Sequence, residues 1–134
     1  MNAQVKTVVA ECTQGSDNNT LTFPEVLGKL SAVGIESYLC DLRRATKTYY
    51  LPDGESMETP AHPPAAPIAE RFNAARVESA VRQSQRNEHT YRDFCRKIAE
   101  AGCAGYIVTL LGRRAVYFGR TGETHTEYFP GTKP

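Results

Sequence analysis

Residues 22–55 read TFPEVLGKLSAVGIESYLCDLRRATKTYYLPDGE, and residues 90–123 read TYRDFCRKIAEAGCAGYIVTLLGRRAVYFGRTGE. The second stretch matches the first without a gap at a shift of 68 positions, with eight identical pairs. A repeat of this length indicates two similar structural units. We expect one domain over residues 1–134, made of a first repeat unit at 3–57, a proline-rich connector at 58–74 and a second repeat unit at 75–129.

Each unit opens with a pattern typical of two amphipathic helices. Valines at helical spacing predict a first helix from Ala3 to Gln14, with Gly15 as its left-handed C-terminal cap. In the second unit the corresponding valines come 72 positions later and Asn87 takes the place of Gly15, which predicts a loop shorter by four residues. The second helix of each unit begins at a capping box, formed by Thr22 with Glu25 and by Thr90 with Asp93.

Strands follow the helices in both units. One β-hairpin is predicted for each, from Ile35–Leu42 with Thr46–Leu51 and from Cys103–Leu111 with Arg114–Gly119. A last strand, Thr124–Phe129, has no evident counterpart in the first unit. Five of the eight prolines fall in residues 52–67, so this segment is expected to be neither helix nor central strand.

These elements predict an α+β fold. An internally duplicated helix–helix–β-hairpin unit forms an antiparallel sheet, with the helices packed mainly on one face. A lone hairpin is only marginally stable in water, so joining two hairpins under the helices is the simplest way to bury the apolar residues.

Composition excludes several classes of function. A formal net charge of +1 provides no general attraction for nucleic acid or for an anionic membrane. No apolar run is long enough to cross a bilayer and no signal peptide is recognisable, so we expect a cytoplasmic protein without membrane partners. The four cysteines are widely spaced within apolar patterns and are expected to be buried free thiols, with no metal site and no cofactor.

Aromatic and basic residues are the candidates for ligand binding. Tyr38 and Tyr106 occupy equivalent strand positions, as do Tyr49 and Tyr117. If the helices cover one sheet face, some of these rings could line the other face together with Arg114, as a groove or a dimer interface. Filling the core and pairing across strands is the alternative for the same rings.

Two further groups of polar residues are candidates for function. His125 and Glu127 alternate along the last strand and therefore face one side, where with Asp41 they could serve as acid–base groups. Basic residues also cluster at the hairpin tips, and two such tips could contact a phosphate backbone, although the near-neutral net charge argues against nucleic-acid binding. The basic residues are Arg43, Arg44 and Lys47 at one tip and Arg113, Arg114 and Arg120 at the other.

Several strings resemble the YbcV-like family, which occurs in bacteria and prophages and is sometimes labelled phage envelope protein. They are NTLTFPEV at 19–26, TYYLPDG at 48–54, YRDF at 91–94 leading to Ala101-Gly102, and VYFGR at 116–120 followed by Gly122-Glu123. The resemblance covers nearly the whole chain. It implies the same domain boundaries, no assigned biochemical function and no catalytic residues to carry over.

The sequence therefore leaves three hypotheses open. The first is a non-enzymatic binding or accessory protein, with a regulatory role among the options, that uses a cleft or sheet face between the repeats for a small-molecule ligand. The second is a small hydrolase or isomerase with His125, Glu127 and Asp41 as acid–base groups. The third is a structural protein that forms homodimers through an exposed aromatic sheet face or its last strand.

Overall fold

A computed structural model describes residues 1–132. Two helices and three strands occur twice along the chain. The first set is α1 (Ala3–Asp17), α2 (Phe23–Ala32), β1 (Ser37–Asp41), β2 (Thr46–Tyr50) and β3 (Ser56–Pro60). The second set is α3 (Ala74–Gln85), α4 (Tyr91–Glu100), β4 (Cys103–Thr109), β5 (Arg114–Gly119) and β6 (Thr124–Tyr128).

All six strands form one antiparallel sheet in the order β3-β2-β1-β4-β5-β6. The two sets meet where β1 pairs with β4, with Tyr38 opposite Val108 and Cys40 opposite Tyr106. Side chains alternate between faces along each strand. The alternation is visible in β2 and β5, where every second residue is buried against the helices. The predicted α+β fold is confirmed.

The opposite sheet face has a different character. Leu39, Ile107 and Val116 lie side by side there, and Ile107 remains 41% exposed. Homodimerisation through this face stays a prediction from the sequence.

The first helices of the two sets end 68 positions apart, at Asp17 and Gln85, as the shift of the rest of the chain requires, and the predicted shift of 72 was wrong. Helix α1 continues through Gly15, and its left-handed residue is Asn19, with φ of 58°. Asn87, exactly 68 positions later, has φ of 55°. The two interhelical loops are therefore equal in length. Position 15 requires glycine for a reason other than capping, because a Cβ there would lie 2.4 Å from the Leu21 side chain.

The last strand, β6, has a counterpart in the first half. This is strand β3, which the sequence did not reveal. It pairs with β2 at the sheet edge and crosses the predicted boundary between the first repeat unit and the connector. Pro60 ends it, at a position where an edge strand tolerates the missing N–H group. The common origin of the two halves stays a prediction from the sequence match.

The connector after β3 packs against the second half. Asn73 donates its backbone N–H to Ala101, and a Cβ at Gly102 would lie 2.1 Å from the Arg71 carbonyl oxygen. Gly102 also has φ of 85°, a conformation that favours glycine. The chain therefore needs glycine at the end of α4 both for the turn and for the close approach of the connector.

Candidate functional site

The four repeated tyrosines all lie on the helix-covered face of the sheet. Tyr38 and Tyr49 are cross-strand neighbours with ring centroids 5.1 Å apart, and Tyr106 and Tyr117 repeat the arrangement at 5.2 Å. Each is at most 7% exposed. The expectation that some of these rings line the uncovered face was wrong, because the strand register places residues of this parity under the helices.

Between the helices and the sheet lies a pocket of about 290 Å³, which we call the junction pocket. Its lining includes residue pairs that are 68 positions apart, so both halves contribute equivalent walls. Three of these pairs are Asn19 with Asn87, Phe23 with Tyr91, and Tyr38 with Tyr106. The pocket thus sits at the meeting point of the two halves, beside the β1–β4 pairing.

Lys47 is the unusual residue of the junction pocket. It is only 2% exposed, because on β2 it shares the buried parity of Tyr49. Its ammonium nitrogen lies 4.4 Å from the centroid of the Tyr91 ring and 5.8 Å from that of Tyr38. The expectation that Lys47 belongs to an exposed basic hairpin tip was therefore wrong, whereas Arg43 and Arg44 do lie exposed at that tip.

The Lys47 ammonium forms no hydrogen bond or ion pair with any group in residues 1–132, and the Tyr38 hydroxyl likewise has no partner there. Over the same residues, no fully buried side-chain nitrogen or oxygen lacks a partner. Both groups must therefore reach the surface of the pocket that they line. Unsatisfied polar groups in a concave, largely buried site are available to a ligand.

Burial also sets the chemical state of the tyrosines around Lys47. It raises the pKa of Tyr38, Tyr91 and Tyr106 well above the usual range, so all three remain neutral hydroxyls at neutral pH. The Tyr91 and Tyr106 hydroxyls bond to each other at 2.5 Å, which uses one of their two protons and leaves the other for a further partner. Within the described chain, Lys47 is the only charged residue in the lining.

A chain of hydrogen bonds at the mouth of the pocket makes the Ser84 hydroxyl a further donor. The His89 ring lies between Lys97, 3.0 Å from Nδ1, and Ser84, 2.7 Å from Nε2. An ammonium can only donate, so Nδ1 is the acceptor and Nε2 carries the proton that is donated to Ser84 Oγ. Burial, followed by the charge on Lys97, lowers the pKa of His89 and keeps the ring neutral. The Ser84 hydroxyl, which lines the pocket, is thereby free to donate its own proton.

His125 and Glu127 lie together on β6, as their alternation predicts. His125 Nε2 is 2.6 Å from Glu127 Oε2, and Glu127 Oε1 accepts a bond of 2.8 Å from Arg82 on α3. The hydrogen bond that Arg82 donates to Glu127 raises the pKa of Arg82. Since both carboxylate oxygens of Glu127 are engaged, the group is best understood as a link between β6 and α3.

Other predicted residues are separated from this cluster and from the pocket. Asp41 lies on β1 with the opposite parity and accepts the backbone N–H groups of Arg43 and Arg44 in the hairpin turn. Arg114 faces the uncovered side, where its guanidinium lies 4.8 Å from the Tyr128 ring centroid. Asp41, His125 and Glu127 therefore do not form one constellation.

Other parts of the described chain have fewer features of a binding site. A more open groove of about 320 Å³ lies along α1 and α2, where its charged lining residues Glu11 and Lys29 are exposed. In residues 1–132, no three His, Cys, Asp or Glu side chains converge closely enough to hold a metal ion. All four cysteines are buried free thiols, as expected. None of the helices described is both long and apolar enough to traverse a bilayer.

Comparison with known proteins identifies the family. Residues 5–127 match the family model described as Protein of unknown function (DUF1398). The chain belongs to this family. Uncharacterized proteins of Mycobacterium bovis and of two strains of Mycobacterium tuberculosis are 28% identical to it over 106 residues, which cover 69% of this chain. The match spans 65% of the length of those relatives. The expectation of a family without an assigned function is confirmed by this DUF1398 match.

Sequence reasoning identified Tyr38 and Tyr106 but missed the rest of the junction pocket. Lys47 could have been found by parity, because it stands two residues before Tyr49 on a predicted strand. Ser84 and His89 gave no such signal. Their contact depends on how the α3–α4 loop folds back, with Asn87 in the left-handed conformation.

Proposed function

We propose that this DUF1398 protein is a non-enzymatic binding or accessory protein that holds a small molecule in the junction pocket. One observation carries the proposal: Lys47 is only 2% exposed, yet its ammonium has no hydrogen-bond or ion-pair partner among residues 1–132 and reaches the pocket. Burial of an unpaired charge opposes folding, so such a group is typical of a functional site.

The shape and lining of the pocket support a binding role. Its volume of about 290 Å³ is near the lower end of ligand pockets, which suits a metabolite. Leu21, Phe23 and Tyr91 supply apolar surface, and polar side chains of both halves, among them Asn19 and Ser84, share the lining. Aromatic walls combined with polar groups that can fix the orientation of a ligand are usual in small-molecule sites.

The acid–base hypothesis has less support. His125 and Glu127 are bonded to each other, Glu127 is also held by Arg82, and neither His125 nor Glu127 lines the junction pocket where a substrate would bind. Asp41 lies on the other face of the sheet, engaged in its hairpin turn. The narrower family resemblance to YbcV-like proteins and a cytoplasmic location remain proposals beside the binding role.

Native mass spectrometry tests the proposal directly. Protein purified gently from its own cells is expected to carry an added mass that disappears on denaturation. Thr20→Trp places a large ring at the pocket lining and should remove that mass, whereas Thr7→Trp, on the exposed surface of α1, should retain it. An added mass that persists equally in the Thr20→Trp variant would show that the ligand binds elsewhere and would overturn the proposal.

A further inference from the structure

We infer that the junction pocket selects a small monocarboxylate with a flat apolar body, whose carboxylate meets Lys47. This inference rests on the proposed function and specifies the class of its ligand. The argument uses the charge of the pocket, the direction of its donors and the nature of its walls.

Charge balance favours a singly charged anion. Lys47 contributes one positive charge, and the lining described in residues 1–132 contains no acidic side chain. A carboxylate neutralises this charge. A phosphate monoester carries about −1.5 to −2 charges near neutral pH and would leave excess negative charge beside the buried Lys47.

Two hydroxyl groups of the lining are available as donors. Tyr38 has a hydroxyl without a partner in the described chain, and Ser84 has its proton free because its oxygen accepts from His89. A carboxylate offers about four lone-pair sites, so it can accept from the ammonium and from hydroxyls together. Charge-assisted bonds of this kind are stronger than neutral ones.

Two helix ends add to the same preference. The N-terminal residues of α2 and α4, Phe23 and Tyr91, both line the pocket, and each helix has ten residues. Helix N-termini carry partial positive charge. Their carboxylate caps, Glu25 and Asp93, bond to the backbone of their own N-cap threonines and are absent from the described lining.

The walls define the rest of the ligand. Phe23, Tyr38 and Tyr91 present aromatic surface, and Leu21 completes an apolar side. Aromatic rings pack best against other flat groups in stacked or edge-to-face geometry. A planar or unsaturated body attached to the carboxylate can stack on these rings, which a polyhydroxylated body does less well.

Three probes test the inference by NMR titration of the full chain: benzoate, the neutral isostere benzamide, and inorganic phosphate. Benzoate is expected to perturb Tyr38, Lys47 and Tyr91 and to bind at least about tenfold more tightly than benzamide and phosphate. Lys47→Met should remove the preference for benzoate over benzamide. Lys6→Met removes a charge from the exposed surface of α1 and should leave the preference intact.

Each outcome decides the inference separately from the proposed function. Equal binding of benzoate and benzamide, or an unchanged preference in Lys47→Met, overturns carboxylate selection while the pocket remains a binding site. Tighter binding of phosphate than of benzoate overturns the singly charged class. If the pocket residues respond to none of the probes, the monocarboxylate inference is wrong, and the co-purification experiment independently decides whether the pocket binds a ligand.

Discussion

Replacing Lys47 by methionine should stabilise the free protein, although most substitutions at a buried position destabilise. The side chain is 2% exposed and its ammonium has only the Tyr91 and Tyr38 rings beside it in the described chain. Desolvation of the ammonium opposes folding by about 2–3 kcal/mol. The cost is not larger because the ammonium is only partly desolvated where it reaches the pocket. The Tyr91 ring at 4.4 Å offsets about 1 kcal/mol, and the Tyr38 ring at 5.8 Å is near the limit of the interaction.

Methionine keeps the length and apolar contacts of lysine without the charge. We therefore expect the free energy of unfolding to rise by about 1 kcal/mol, or Tm by roughly 3–5 °C for a chain of this size. Urea denaturation, monitored by circular dichroism, measures the change. The matched control is Lys97→Met, which loses bonds of 3.1 Å to Gln83 and 3.0 Å to His89 and should lower stability.

The reasoning is refuted if Lys47→Met destabilises the protein by more than about 1 kcal/mol, because the ammonium would then contribute net stability rather than oppose folding. A stabilised variant that has lost the benzoate preference would show that stability is given up at this position for binding.

The other predictions concern the stability of the fold and the burial of its cysteines. Gly102→Ala should destabilise by more than about 2 kcal/mol, since it combines φ of 85° with a clash against the connector, whereas Gly54→Ala, with φ of 94° but open space, should lose about 1 kcal/mol in the same urea assay. The capping bonds from Thr22 lower the pKa of Glu25, so this carboxylate stabilises the fold above its unfolded-state pKa and that stability is lost as pH falls through the lower folded value. Glu25→Gln, which removes the titrating carboxyl group, should therefore flatten the loss of stability below about pH 5 in acid titrations, and an unchanged slope would contradict this. Burial raises the pKa of Cys103 to about 12, so it and the other buried thiols should react with a thiol reagent at pH 8 only after unfolding; rapid reaction of the native protein would contradict their burial.

Local signals in the sequence predicted the second helix of each set and the strands that follow. The capping boxes at Thr22 and Thr90 are formed as expected, because their side chains satisfy backbone groups within the same turn. The hairpins follow from short-range alternation and turn residues. These features depend on neighbours in sequence, so the sequence is sufficient to find them.

Features set by long-range pairing could not be predicted in the same way. The covered face of the sheet depends on which strand residues meet the helices, so the sequence left open whether the tyrosines fill the core or line the uncovered side. Strand β3 exists because β2 offers it an edge, and its own sequence, with prolines on both sides, is a weak strand signal. Gly15 was taken for a cap because its role depends on Leu21, which packs against it in the fold.

The near two-fold arrangement of the pocket has a consequence for how a guest molecule sits inside it. Walls contributed by residues 68 apart would accept a guest equally well in either of two orientations related by half a turn. Lys47 breaks this equivalence, because the residue 68 positions later is Ala115, a buried methyl group without charge. The pairs 68 positions apart therefore offer similar contacts in both orientations, and Lys47 gives the pocket a single charged end that fixes one of them.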